Sequence, residues 1–220
     1  MQGDGRAARA LLRLDAEVAR AIHGRSRVVL AFSGGLASLL LAALARKRCE
    51  LTSVVVGFRG SADVQAALVA QTFLDYPVTV VRPTEAQLWE TAGAVRASSP
   101  SLPVPEILDL LPLVLVEENR SDPVVLSGFG LTAHTTTMRR ALKVRQVSIP
   151  GSGLSVARSP RASLVRLAQA AGLPESFVLA ARRSPREGSG IGPVLRARAH
   201  ARHTSLARLL SRPVAPRDNH

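Results

Sequence analysis

Two serines and two glycines, Ser33, Gly34, Gly35 and Ser38, stand between an apolar run, Val28 to Phe32, and a run of strong helix formers, Leu36 to Arg48. Glycine lets the backbone approach a phosphate closely, the N–H groups of a starting helix point at it, and two hydroxyls add donors. Binding of a pyrophosphate group is the chemistry this pattern supports. A Walker loop would end in Gly-Lys-Ser/Thr and a dinucleotide fingerprint would read Gly-x-Gly-x-x-Gly, and the segment is neither. The same residues also suit a tight strand-to-helix turn that needs glycine for its own geometry, so the segment alone leaves two readings open.

Other chemistry-bearing residues are isolated. His134 has acid, base and ligand chemistry available, but no carboxylate stands near it, and a plain loop histidine is the preferred reading. His200 and His203 have the spacing of a metal pair on a helix and lack a third ligand, so solvated side chains are expected. Cys49 is the single cysteine, which excludes an internal disulfide, a thiolate metal cluster and Cys-x-x-Cys redox chemistry, and points to a reducing, cytoplasmic setting. Asp63 reads as a carboxylate in the first turn of a helix, where the helix dipole favours it.

The formal charge of +13 is unevenly placed. Residues 1–135 carry thirteen basic and thirteen acidic side chains, whereas residues 136–220 carry sixteen basic and three acidic ones, Glu175, Glu187 and Asp218. A basic third beside a neutral remainder attracts polyanions, either nucleotide phosphates or RNA, although a solvated arginine-rich surface is an equal reading. Of 29 cations only Lys47 and Lys143 are lysine. With 46% apolar and 20% charged residues the composition is globular, and 3% aromatic content requires a core of Ala, Val and Leu. The stretch Val28 to Ala45 is broken by Ser33, Gly34, Gly35 and Ser38 and fails as a membrane span, so no membrane partner is expected.

The elements that must position these residues alternate. Met1 to Arg27 reads as a leading helix; strands are expected at Val28 to Phe32, Leu51 to Phe58, Pro77 to Val81, Val124 to Leu126 and Val144 to Ile149. Helices are expected at Leu36 to Arg48, Asp63 to Leu74 behind Ser61 as N-cap, Glu85 to Val95 behind Thr84, and Glu106 to Asn119. A further helix, Ser163 to Ala171, ends at Gly172, Arg182 to Gly192 reads as loop, and Val194 to Leu210 as one basic amphipathic helix. The fold class that follows is α/β: a doubly wound, mainly parallel five-stranded sheet with helices on both faces, Rossmann-like, plus a basic helical C-terminal segment. The expected domains are residues 1–192, nucleotide-binding, and 193–220, a basic helix and frayed tail. In such sheets ligands lie at the carboxyl ends of the strands, where the strand order switches.

Five motifs, in order over residues 28 to 191, carry a family resemblance. Ser33-Gly34-Gly35-Leu36-Ala37-Ser38 resembles the Ser-Gly-Gly-x-Asp-Ser loop of the PP-loop ATP pyrophosphatases, the adenine nucleotide alpha hydrolase-like superfamily. Gly57-Phe58-Arg59-Gly60-Ser61-Ala62-Asp63, Ser127-Gly128-Phe129-Gly130, Gly172-Leu173-Pro174-Glu175 and Gly188-Ser189-Gly190-Ile191 resemble, in turn, Gly-x-x-Gly-Ser-x-Asp, Ser-Gly-Asp-Gly, Gly-Leu-Pro-Glu and Gly-Ser-Gly-hydrophobic segments of the asparagine synthetase synthetase domain.

The resemblance implies ATP as ligand and, as family reaction, adenylation of a carboxylate followed by amide formation, with release of AMP and pyrophosphate. It implies phosphate contacts from Ser33, Gly34, Gly35 and Ser38, an adenine-facing strand end at Val56 and Gly57, and approach of Ser127 and Gly128 to the ribose or α-phosphate. Arg182, Arg183 and Arg186 stand where the family keeps basic residues, and Arg183 is carried as a phosphate contact, with exposed loop cations as the competing reading. The family's magnesium acids are replaced: Ala37 stands for the first, and Phe129, Thr132 and Ala133 for the Asp, Asp and Glu of the second motif. Magnesium needs hard oxygen ligands, so no metal site is expected and the catalytic step loses its usual support. Three readings follow: a ligase-like enzyme, an inactive nucleotide-binding regulatory or complex subunit with a partner protein, and an RNA-binding tRNA-modification relative using residues 136–220.

Overall fold

The computed structural model describes residues 2–119, 125–128, 144–146, 161–178 and 184–210. Strand and helix alternate as the apolar pattern requires: α1 (Gln2–Ala21), β1 (Arg27–Ala31), α2 (Leu36–Ala45), β2 (Glu50–Val56), α3 (Ala62–Leu74), β3 (Val78–Val81), α4 (Glu85–Ser98), α5 (Val104–Glu118), β4 (Val125–Ser127) and β5 (Val144–Gln146). Then follow α6 (Arg161–Ala170), α7 (Glu175–Val178), α8 (Pro185–Gly188), α9 (Ile191–Ala201) and α10 (Leu206–Leu210).

The sheet runs in the order β3-β2-β1-β4-β5, and every pairing is parallel. Register is set by matched apolar runs: Val28 pairs with Leu51, Leu30 with Ser53 and also with Leu126, and Val54 with Thr79. Successive side chains alternate between faces, and both faces are covered. Val28, Leu30, Leu51, Val55 and Leu126 pack under α1, α2, α3 and α6, whereas Val29, Val54, Val56 and Val125 pack under α4, α5, α9 and α10. Burial on both sides is why the central strand reads as an unbroken apolar run, Val28 to Ala31.

α2 lies deepest. It carries no charged residue, and everything from Ser38 to Ala45 is buried, the pattern of a helix surrounded by protein. Asp15 of α1 receives a 2.7 Å hydrogen bond from Arg48 just beyond α2, and Arg46 donates to the Leu74 carbonyl at the end of α3, so the layer is tied together at its rim. α4 starts with a full capping box: the Gln87 N–H donates to Thr84 Oγ1 at 3.2 Å, and the Thr84 N–H to Gln87 Oε1 at 2.8 Å. Among the described residues no helix is long and apolar enough to cross a membrane.

Three expectations are corrected. The leading helix stops at Ala21; Gly24 turns the chain at φ +70°, and Arg27 already belongs to β1. Arg182 to Gly192 is not all loop, because Pro185, pre-set for a helix start, opens α8, and α9 begins at Ile191. Val194 to Leu210 is two helices: after Ala201 the chain passes His203 at φ +49°, a left-handed conformation that an α-helix cannot continue through. α9 spans residues 192 and 193, and its Ile191 and Leu195 are buried against the sheet.

Candidate functional site

After Ala31 the strand pairing continues one residue further, the Phe32 N–H donating to the Val54 carbonyl at 2.9 Å. The chain then folds over the start of α2. Ser38 Oγ donates to the Gly35 carbonyl at 2.9 Å, accepts from the Ser33 N–H at 3.3 Å, and lies 3.4 Å from Ser33 Oγ. At 4% exposure Ser38 is therefore the internal brace of the turn, and Ser33 is the more accessible hydroxyl.

The two glycines differ. Gly34 has φ +65°, and a Cβ there would fall 2.5 Å from the Ala66 Cβ and 3.3 Å from the Asp63 Cα, so α3 itself requires glycine. Gly35 is the N-cap of α2 at φ −79° and ψ 159°, conformations open to any residue, and a Cβ there would touch only Ser33 Oγ at 3.4 Å. Among the described residues no packing requires glycine at 35. No described side chain caps α2, and its first turn carries no acid, so the N–H groups of that turn form a positive helix end.

This turn lies at the carboxyl end of β1, between the ends of β2 and β4. β4 joins β1 on the side away from β2 and β3, so the strand order switches there, where open α/β sheets have their ligand crevice. Ser127 and Gly128 close β4 and are both buried. Val56, at 2% exposure, and Gly57 end β2, with the Gly57 N–H donating to the Val81 carbonyl at 3.0 Å.

The Gly188–Gly190 turn closes onto that strand end. The Phe58 N–H donates to the Ser189 carbonyl at 3.2 Å, and a Cβ on Gly57 would lie 3.0 Å from the same oxygen and 2.6 Å from Ser61 Oγ. Ser61 is the N-cap of α3 as its position predicts, yet its hydroxyl makes no cap bond and is buried beneath this turn. The structure thus brings the first, second and last motifs together. Gly172-Leu173-Pro174-Glu175 has a different role: Gly172 ends α6 at φ +75°, and Leu173 enters the core.

Arg186 is engaged with α5. Its N–H donates to Asp109 Oδ1 at 3.1 Å and its guanidinium to Asp109 Oδ2 at 2.5 Å and the Pro105 carbonyl at 3.2 Å, which fastens α8 to α5. Burial pushes the Asp109 carboxyl above its ordinary value, with Arg186 acting in the opposite direction. Arg59, which sequence reasoning passed over, is exposed on the loop following β2, beside Gly60 at φ +79°. Burial pushes the Cys49 thiol up, away from thiolate reactivity. Phe129, Thr132, Ala133, His134, Arg182 and Arg183 lie outside the described residues.

The described residues of the turn offer a magnesium ion no set of oxygen ligands. Ala37 supplies no oxygen from its side chain, the Asp63 carboxylate is packed against Gly188, and the described residues contain no group of three His, Cys, Asp or Glu side chains able to hold a metal.

No family model matches the chain, and no curated protein matches it in sequence. Among solved structures the chain is similar to a predicted subunit of tRNA methyltransferase from Methanocaldococcus jannaschii, at 14% identity and a TM-score of 0.40, over 72% of this chain and 98% of that one. It is also similar to NMN synthetase from Francisella tularensis, at 14% identity and a TM-score of 0.47, over 94% of this chain and 84% of that one.

Proposed function

We propose that the chain binds ATP at the Ser33–Ser38 turn without magnesium, as a nucleotide-binding regulatory or complex subunit of asparagine-synthetase-like descent that no longer runs the adenylation reaction. The observation that carries this reading is Gly35: a glycine required by no described neighbour, at the head of α2, which no described side chain caps, at the switch point of the sheet. The backbone there leaves room for a phosphate oxygen, and the first-turn N–H groups donate to it, assisted by the Ser33 hydroxyl. Ala37 belongs to the same logic. An aspartate in that turn would repel a phosphate unless a cation stood between them; alanine removes the repulsion together with the metal. Val56 and Gly57 are the proposed nucleoside side, Ser127 and Gly128 the proposed ribose or α-phosphate side, and Arg183 the proposed neutralising cation.

Calorimetric titration of ATP, first with magnesium and then with chelator, tests the proposal. Equal affinity in both conditions, lost in Gly35→Val, is the expected result. Affinity that disappears with chelator would restore a metal site and the ligase reading, and no binding in either buffer would remove the nucleotide altogether.

A further inference from the structure

Asp63 is where the first turn of α3 meets both glycine-rich segments. Its backbone faces Gly34 of the phosphate turn, with its Cα and carbonyl each 3.3 Å from where a Gly34 Cβ would stand. Its carboxylate faces the late turn: a Cβ on Gly188 would lie 2.5 Å from Asp63 Cγ and closer still to one carboxylate oxygen. Both contacts use a glycine because neither leaves room for a methyl group. Asp63 is 7% exposed, too buried for a residue serving only the helix dipole, which an exposed carboxylate does as well.

We infer that Asp63 is a positioning residue, which seats the Gly188–Gly190 turn on the end of β2 and so aligns the nucleoside half of the site with the phosphate half. The inference rests on the nucleotide-binding reading above. The two halves differ in what holds them. The phosphate turn is braced from within, by bonds among Ser33, Gly35 and Ser38. The β2 end is covered from outside, by the Ser189 carbonyl over Gly57 and on the Phe58 N–H. A methyl group on Gly188 must turn the carboxylate out or lift the turn, and lifting it releases the Phe58 N–H while leaving the Ser33–Ser38 bonds intact.

A double-mutant cycle tests this: wild type, Gly188→Ala, Asp63→Ala and the pair, each titrated with ATP and with inorganic tripolyphosphate in chelator, and each melted thermally. Gly188→Ala is expected to weaken ATP by about tenfold or more and tripolyphosphate by less than about threefold, and on the Asp63→Ala background, where the methyl has room, its effect on ATP shrinks to within about threefold. A merely structural seat would move the melting temperature but not separate the two ligands. The inference is overturned if folded Gly188→Ala binds ATP as wild type does, if both ligands weaken together, or if Asp63→Ala brings no relief. If wild type binds neither ligand, the nucleotide reading has failed and the positioning role falls with it. A flat cycle in a protein that binds ATP refutes the positioning role alone.

Discussion

Gly34 and Gly35 are adjacent, and substitution separates them. Gly34 combines a positive φ with a Cβ position blocked by Ala66, so Gly34→Ala is expected to lower stability by roughly 1 kcal/mol or more, seen as a reduced urea midpoint. Gly35→Ala keeps an allowed backbone and, among the described residues, meets only Ser33 Oγ, so it is expected to leave the midpoint in place and to weaken ATP in calorimetry. The reverse pattern would make Gly35 a folding residue and dissolve the proposed site. Ala37→Asp argues the same point through charge: it is expected to weaken ATP in chelator and to recover part of the loss when magnesium is added. Tyr76 gives a residue-scale check on the core behind the turn. At 4% exposure, with its ring 6.1 Å from that of Phe32, its hydroxyl is pushed up to about 12 by burial, with Ser53 acting the other way. The folded state then holds a proton that the unfolded state releases from about pH 10, so stability falls as pH rises from about 10 towards 12. Tyr76→Phe is expected to flatten that decline, measured by urea unfolding across the same pH range.

At the scale of elements, much of the architecture was legible because it is written locally. Val28 to Phe32, Leu51 to Phe58 and Pro77 to Val81 are expected as strands, and each forms one whose ends lie within two residues of expectation. Thr84 is expected as an N-cap and the structure adds Gln87 to complete a capping box; Thr84→Ala is expected to cost about 1 kcal/mol, read from the urea midpoint with the Gln87→Ala variant as comparison. What was not legible depends on residues far apart in sequence. α8 exists because Asp109, 77 residues earlier, accepts the Arg186 N–H, and a stretch so rich in Arg, Ser and Gly reads as loop without that partner. The break between α9 and α10 turns on His203 in a left-handed conformation, which composition does not signal. The strand-to-helix turn itself was visible from Ser33, Gly34, Gly35 and Ser38, but not that α3 leaves no room for a side chain at Gly34, nor that Gly188 would sit on Asp63.

For the whole molecule, charge sets the control that any ligand claim must pass. A chain of net charge +13, with the excess in residues 136–220, attracts polyanions over that region, so weak ATP binding is expected even of a surface without a site. Much of the described cationic surface near the C-terminus is already engaged, however: Arg196 forms a two-pronged bridge to Glu187 at 2.9 and 3.0 Å, and Arg198 reaches Glu85 at 2.8 Å. Arg202 and Arg208 remain exposed on either side of the α9 to α10 break, the place to look for salt-sensitive RNA or nucleotide contacts. Diffuse binding is screened strongly once the Debye length falls from about 10 Å at 0.1 M salt to about 3 Å at 1 M, whereas N–H groups enclosing a phosphate at the head of a buried helix are screened much less. A ligand binding only the folded state, at a hundred times its dissociation constant, adds about 2.7 kcal/mol, which for a chain of this size raises the melting temperature by roughly 5 to 10 °C. ATP in chelator is therefore expected to raise the melting temperature of the wild-type protein by that amount and to retain most of the increase at 0.5 M salt, while Gly35→Val shows little increase in either condition. An increase that fades with salt equally in both proteins would assign the binding to the arginine surface and leave the turn at Ser33 as a strand-to-helix connection.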